Sequence, residues 1–261
     1  MRKINFYSLI TIVSVALLLA SCASKAEMEE PKPKFSDAEI KQALAKADEL
    51  FSQREDVKNL RAAVETLEKV RDADNRNFEV EWKFSRANYF LSKQVESEEE
   101  AEKLLKEGAA AGIIASRIAS EKPDGHFWYG ANLGEQARRS PVTVGLKSVD
   151  DIRETMNKVI SIDPKYQGAS AYDALGQIEL ETGMLGGEPK KAVEYLEKGI
   201  ELEPDNTYLR LHLAEAYLAV DKKAEAKKQL DYLLRMKPAP GYEVEYKEAT
   251  EEAKKILERR F

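Results

Sequence analysis

Two copies of one pattern, 34 residues apart, constrain this chain more than any other feature. Each copy separates an alanine from a proline by 12 residues, Ala192 from Pro204 and Ala226 from Pro238. Small residues let two antiparallel helices approach, large ones fill the space between them, and the proline ends the second helix because it has no N–H. The matched positions are Tyr172, Leu175, Gly176, Ala192, Leu196, Gly199 and Pro204, then Leu213, Ala214, Tyr217, Ala226, Leu230, Leu233 and Pro238. The stretch from 169 to 240 therefore predicts stacked helical hairpins.

This period, with several residue types at fixed offsets, resembles the tetratricopeptide repeat family. The resemblance implies an all-α, tetratricopeptide-like helical-hairpin solenoid with a C-terminal capping helix. One hairpin cannot bury its own apolar stripe, so residues 36–261 are expected to stack as one helical domain. The hairpins are placed at about 36–74, 77–123, 124–164, 169–204 and 207–238, the first or second of them degenerate, with the cap at 242–260.

Two capping boxes and a run of small residues refine this prediction. Ser36 with Glu39, and Ser97 with Glu100, have the spacing in which a serine and a glutamate satisfy the free N–H groups of a helix start. The run from Gly108 to Gly112 has only small side chains. Because glycine weakens a helix, this run predicts a very close contact with a neighbouring helix.

Two connections are longer than a repeat turn needs. They span 138–150 and 183–189 and are expected as insertions on one side of the array, where functional residues often lie. The register of the third hairpin stays open. Trp128 fits the large repeat position, and in the alternative register Gly134 aligns with Gly176.

The start of the chain has the pattern of a secretory signal. Arg2 and Lys3 precede an apolar run from Leu9 to Ala20, which is shorter than the ~20 residues that span a bilayer. Residues 1–21 are therefore interpreted as a signal peptide. An uncleaved anchor is the alternative.

Cys22 is the only cysteine, and it ends the sequence Leu-Ala-Ser-Cys. This resembles a bacterial lipobox and implies cleavage before Cys22 and lipid attachment to it. Residues 22–35, rich in Lys, Glu and Pro, are then a lipidated tether. No Asp follows Cys22, which favours the outer membrane, with the protein facing the periplasm.

Charge and composition argue against several other functions. The formal net charge is −6, and becomes −8 without Arg2 and Lys3, so we expect no nucleic-acid partner. The two histidines, His126 and His212, lie in different repeats without metal-ligand spacing. No Gly-x-Ser-x-Gly motif is present either. We therefore predict a non-enzymatic protein without metal or other cofactor.

The concave face of the array is the remaining candidate for a binding site. Successive helix residues point about 100° apart, so the Phe-Trp-Tyr run beginning at Phe127 cannot pack on one neighbour alone. At least one of these rings is expected to reach a groove or pocket, unless all belong to the core between repeats. The predicted ligand- or partner-binding residues are Phe90, Phe127, Trp128, Tyr129, Tyr208, Leu211 and Leu218.

A narrower resemblance follows from motifs taken together. They are the lipobox start, the aromatic third hairpin, and the runs Tyr-x-x-Leu-Gly, Leu-Gly-Gly-x-Pro-x-Lys-Ala and Leu-Ala-Glu-Ala-Tyr. The combination resembles the T-component (TatT-like) lipoproteins of TRAP transporters. That resemblance implies a periplasmic helical protein with a hydrophobic channel that works with a solute-binding protein partner.

Two functional hypotheses follow. In the first, the chain is a TRAP-type accessory that holds an apolar or amphipathic organic acid near Trp128, which requires an enclosed, aromatic-lined cavity. In the second, it is a general tetratricopeptide adaptor in envelope or outer-membrane protein assembly, which requires an open groove with polar positions. The aromatic run and the two insertions favour the cavity.

Overall fold

The helices begin and end close to the caps and breakers that the sequence provides. The computed structural model describes residues 33–182, 187–238 and 240–261, without the side chains of Val142, Thr143 and Leu146. Every regular element in this part of the chain is helical, so the all-α prediction is confirmed. The elements are α1 (Asp37–Ser52), α2 (Val57–Lys69), α3 (Phe78–Ser92), α4 (Glu98–Ile118), α5 (Pro123–Arg139), a π-helical turn (Pro141–Gly145), α6 (Leu146–Ile162), α7 (Tyr166–Glu181), α8 (Pro189–Leu202), α9 (Thr207–Ala219), α10 (Lys223–Leu233) and α11 (Glu243–Arg260).

Both predicted serine caps open helices, and the first forms the complete capping box. The Ser36 hydroxyl accepts from the backbone N–H of Glu39, and the Glu39 carboxylate accepts from the backbone N–H of Ser36 at 2.8 Å. The Ser97 hydroxyl accepts from the backbone N–H of Glu100 in the same way. Helix α5 opens with Pro123 at a first-turn position, where a missing N–H is harmless.

The helices stack in the order of the chain. Each pair from α1–α2 to α9–α10 packs together, and the second helix of each pair also packs on the first helix of the next. The odd-numbered helices contact one another from α1 through to α11, which covers the last pair. One wall of the array is therefore formed by the first helix of each hairpin and by α11 (the wall of first helices).

The run of small residues in α4 makes the expected close contact with α5. A Cβ at Gly112 would lie 2.7 Å from the backbone nitrogen of Tyr129, and one at Gly108 would overlap the side chain of Asn132. The Asn132 amide donates to the carbonyl of Ser85 at 3.1 Å and ties α5 to α3 as well. These glycines are thus required by helix packing.

The third hairpin takes a register that neither alternative describes fully. A Cβ at Gly130 would lie 2.6 Å from Met156 of the partner helix α6, just as one at Gly176 would lie 2.6 Å from Leu196 of α8. Gly130 is therefore the counterpart of Gly176. Gly134 is not, because it has open space beside it.

The first predicted insertion is more helical than expected. Within residues 138–150 only Ser140 lies outside the helical elements, because α5, the π-helical turn and α6 follow one another almost without a break. The Ser140 carbonyl accepts from the backbone N–H groups of Val144 and Gly145 at 2.9 and 3.1 Å. Pro141 is tolerated at the start of this turn, where no N–H is needed. The prediction of a long connection between helices is therefore wrong here, because the segment is itself helical.

The N-terminal segment of α7 has left-handed backbone. Gln167, Gly168 and Ala169 have φ values of 50°, 64° and 61°. Such values cost energy for residues with a side chain and persist only where the surroundings hold them. Here the Asn206 side chain donates to the Gly168 carbonyl at 2.7 Å.

Residues 33–261 form a compact unit with its own hydrophobic core. The core of the last two hairpins continues into α11 through Ala249, Ala253 and Ile256. No described helix is long and apolar enough to cross a membrane. The signal peptide, Cys22, nearly all of the tether and residues 183–186 of the second insertion lie outside the described residues.

Candidate functional site

The wall of first helices borders a cavity of about 480 Å³. Helices α3, α5, α7 and α9 supply most of its lining, and Tyr242 and Glu245 contribute from the last helix and its N-cap. Pro141 and Gly145 place the π-helical turn against the same space. The first insertion therefore borders the cavity.

One side of the cavity is aromatic. The ring centroid of Trp128 lies 5.0 Å from that of Phe127, 5.8 Å from that of Tyr89 and 5.9 Å from that of Phe90. Trp128 is 3% exposed and Phe127 is 7% exposed. Edge and tilted contacts of this kind are the favoured arrangements of aromatic pairs, so the rings form one packed apolar wall. Ile152, Met156 and Ile178 extend this surface.

A hydrogen-bonded group lies on the α7 and α9 side. The Nδ1 atom of His212 is 2.7 Å from Asp173 Oδ1, and the Gln177 amide donates to Asp173 Oδ2 at 2.8 Å. The carboxylate acceptor assigns a proton to Nδ1. The Tyr208 ring stacks on the His212 ring with centroids 5.7 Å apart, and its hydroxyl donates to Glu248. Asp173, Gln177 and Tyr208 all line the cavity.

A second charged group lies near the C-terminal end of α5. Buried Glu135 accepts from Arg138 at 2.6 Å and from Arg139 at 2.9 Å. Glu181, at the end of α7, has no ion pair within the described residues, and Lys93 lies 3.7 Å from Glu248. The cavity thus joins an aromatic surface to a rim of charged groups.

The pKa shifts around this rim show which charges its surroundings favour. Burial opposes a charge on Lys93, but Tyr89, Glu248 and other acidic groups outweigh it and raise the pKa of this lysine. Burial likewise opposes the imidazolium of His212, yet Asp173 and nearby glutamates raise its pKa. Glu181 is an exposed residue, but the part of it that lies against the lining is desolvated, which raises its pKa. Burial also opposes the charge on Glu135, but Arg138 and Arg139 outweigh it and lower its pKa. Positive charge is thus favoured on Lys93 and His212, whereas negative charge is favoured on Glu135 and disfavoured on Glu181.

Four of the seven predicted site residues line the cavity: Phe90, Phe127, Trp128 and Tyr208. The other three do not. Tyr129 faces α4, where it packs against Gly112. Leu211 is buried in the core of the last hairpins, and Leu218 packs against the same core.

The physical reason for the difference on α9 is helix geometry. At about 100° per residue, the positions that share the face of Tyr208 are four and seven residues later, namely His212 and Glu215. Leu211 is turned away from Tyr208 by about 60° and Leu218 by about 80°.

Several lining residues were missed by the sequence analysis, including Lys93, Glu135, Asp173, Gln177 and Glu181. The repeat pattern marks only core positions, and a polar residue on a helix is usually solvated. The available signal was spacing, because Asp173, Gln177 and Glu181 recur every four residues on one face of α7. No group of three or more metal-binding side chains occurs among the described residues.

Comparison with known proteins adds a family. A family model described as "Regulator of microtubule dynamics protein 1-3" matches residues 43–181, more than half of the chain. The chain belongs to this family. A tetratricopeptide-repeat model matches residues 184–242, which contain most of the repeat pattern found in the sequence. The family match therefore ends with α7, and the repeat match covers α8 to α10, which follow it. No curated protein sequence matches the chain.

Solved structures agree with the fold of this family member. A thermophilic tetratricopeptide-repeat protein of Thermus thermophilus is 19% identical, with a TM-score of 0.57 over 80% of this chain and 97% of its own. The Pseudomonas aeruginosa protein PilF is 16% identical, with a TM-score of 0.52 over 86% of this chain and 91% of its own. At these identities the likeness shows the fold alone. The tetratricopeptide-type solenoid prediction is confirmed, and such repeat scaffolds generally serve protein interaction rather than catalysis.

Proposed function

We propose that this chain is a non-catalytic, lipid-anchored envelope scaffold that holds an apolar or amphipathic small molecule in its cavity. In this proposal it acts as an accessory of a TRAP-type uptake system and docks the system's solute-binding protein. The observation that carries the proposal is the aromatic-lined cavity of about 480 Å³. Its volume falls in the range of ordinary ligand pockets, roughly 300–1,000 Å³.

The form of the concave face favours ligand holding over the adaptor alternative. An adaptor that binds extended segments needs an open groove with accessible polar positions. Here buried aromatic rings form one wall, and Pro141 and Gly145 border the space on another side. The Arg54 side chain, at the first hairpin, bonds to Glu245 of α11 and holds the two ends of the array together.

The transporter role and the localisation rest on the sequence. The support for an outer-membrane anchor facing the periplasm is the signal-like residues 1–21 with Cys22 at the lipobox position. The support for a TRAP system is the resemblance of the repeat motifs. The family's description names the regulation of microtubule dynamics, and that role is a statement about the proteins after which the family is named. This proposal is built on the cavity of the present chain.

Gly134 allows a direct test of the cavity. It lines the space, and a Cβ at this position meets nothing within 4 Å. Gly134→Leu should therefore fold and fill part of the cavity, while Gly134→Ala gives the same backbone with almost no added volume. We expect N-phenyl-1-naphthylamine to fluoresce with the wild type and with Gly134→Ala, and at least tenfold more weakly with Gly134→Leu. Equal binding by all three proteins would remove the cavity as the ligand site.

The transporter role has separate tests. Genes for a TRAP permease and a solute-binding protein beside this gene would support it. At the bench, the solute-binding protein encoded there should be captured by the immobilised residues 33–261. Capture of unfolded outer-membrane protein segments without that protein would favour the adaptor instead.

A further inference from the structure

The charges that line the cavity are strongly unequal. Among the described residues, six acidic side chains and two basic ones line it. The acidic residues are Glu135, Asp173, Glu181, Glu203, Asp205 and Glu245. The two basic residues, Lys93 and Arg138, are themselves close to acids, at 3.7 Å from Glu248 and 2.6 Å from Glu135 respectively. A ligand therefore meets no cation without an acidic neighbour in this lining. Four of the acids also have a basic partner, namely Glu135 with Arg138, Asp173 with His212, Glu203 with Lys165 and Glu245 with Arg54, which leaves Glu181 and Asp205 without an ion pair among the described residues.

We infer that the cavity selects an amphipathic organic cation, with its apolar body against Trp128 and its ammonium group near Asp173 and Glu181. This inference rests on the proposed function, because it names the class of small molecule that the cavity holds. It replaces the organic acid expected from the sequence.

The lining changes from aromatic to charged over a short length of α5. Trp128 and Glu135 are seven residues apart on this helix, which at 1.5 Å per residue is about 10 Å along its axis. An extended alkyl chain of about eight carbons has that length. Aromatic faces attract cations as well as apolar groups, and at the rim the rings of Tyr89 and Tyr208 already have the Lys93 ammonium 5.9 Å from each centroid.

The protein's own groups report the same preference. Lys93 is partly buried between the Tyr89 and Tyr208 rings, yet acidic neighbours raise its pKa and keep it charged. Glu181 has no ion pair within the described residues, and burial raises its pKa. An incoming ammonium would supply the charge partner that Glu181 lacks, whereas an incoming carboxylate would be repelled by the negative charge of Glu181.

Three probes of equal chain length separate the possible results. We would titrate residues 33–261, the compact unit, with decylammonium, decan-1-ol and decanoate by isothermal calorimetry. The expected result is that decylammonium binds at least tenfold more tightly than decan-1-ol, and that decanoate binds most weakly. Equal binding of amine and alcohol, or tighter binding of decanoate, would overturn the inference while leaving the cavity proposal intact. Binding of none of the three would instead count against the proposed function itself.

A matched pair of variants locates the selectivity. Glu181→Gln keeps the size of the side chain and should weaken decylammonium at least tenfold while leaving decan-1-ol unchanged. Glu201→Gln, on the exposed surface of α8, is the control and should change neither affinity. A Glu181→Gln variant that melts like the wild type yet keeps the full preference for the amine would exclude this carboxylate as its source.

Discussion

Arg54 and Glu245 lie 191 residues apart in the chain, and the Arg54 Nη2 atom is 2.9 and 3.1 Å from the two carboxylate oxygens of Glu245. Both side chains are only 12% exposed. Arg54 also donates to the Gly241 carbonyl, and its own carbonyl accepts from Gln94 at 3.0 Å. The first hairpin and the last helix are thus joined across the opening of the array.

We predict that Arg54→Met is destabilising, because it leaves the partly buried Glu245 without its charge partner. Breaking a fully buried pair typically costs about 3–5 kcal/mol, and the loss here should approach the lower end of that range. Lys46→Met is the control, since the Lys46–Glu49 pair is exposed (52% and 60%) and such pairs contribute about 1 kcal/mol or less. Urea unfolding measures both. Similar losses in the two variants would show that the Arg54 contact does not hold the array closed.

Two glycine substitutions should shift stability in opposite directions. Gly112→Ala places a methyl group 2.7 Å from the backbone nitrogen of Tyr129, which cannot move aside as a side chain end can. Overpacking of this kind costs about 1–3 kcal/mol. The methyl group of Gly134→Ala has no atom within 4 Å, and the higher helix propensity of alanine should stabilise the fold by up to about 1 kcal/mol. The melting temperature of Gly112→Ala should therefore lie below that of the wild type, and the melting temperature of Gly134→Ala should lie above it. A stabilised Gly112→Ala would contradict the tight α4–α5 contact.

The ion pair of His212 should make stability depend on pH. Its folded-state pKa is raised above 6.5, the ordinary value, because Asp173 and nearby glutamates outweigh the opposing effect of burial. The stability that it contributes is therefore fully present below about pH 6.5 and is lost as the pH rises through the folded-state pKa. The free energy of unfolding of the wild type should fall relative to that of His212→Gln as the pH rises from about 6 to about 8.

Proton NMR of the imidazole gives an independent check of this sign. Asp173→Asn should lower the pKa of His212, since it removes the facing carboxylate while retaining a hydrogen-bond acceptor. A wild-type advantage over His212→Gln that grows with rising pH would be the wrong sign and would exclude the charged pair.

Lipid attachment at Cys22 remains a prediction from the sequence. Metabolic labelling with palmitate should mark the wild-type chain in a bacterial host, and Cys22→Ser should abolish the label and the shift in mobility on processing. Ser24→Ala, two residues away, should retain both. An unlabelled wild type that still fractionates with membranes would point to an uncleaved anchor instead.

The sequence predicted the helices well because their signals are local. Ser36 and Ser97 begin helices through side chains three residues away, and Gly112 marks a contact that only a residue without a side chain permits. The repeat spacing then predicts how helices stack. None of these inferences needs the long-range course of the chain.

Features that depend on accumulated geometry were not predictable in this way. The rotation between successive repeats is small, and whether the ends meet depends on its sum over the whole array. Nothing in the neighbourhood of Arg54 indicates Glu245 as its partner. The polar half of the cavity has the same cause, because Asp173 lines a cavity only after the neighbouring helices have packed around it.

The contact between Arg54 and Glu245 also bears on how the molecule unfolds. In an open repeat array the terminal hairpins fray first, because each has a neighbour on one side only. Here each terminus protects the other, so amide hydrogen exchange in α1 and α11 should slow together and be lost together. An inserted or deleted repeat would separate Arg54 from Glu245 and remove this contact, so we expect such a change to cost more stability here than in an array whose ends do not meet.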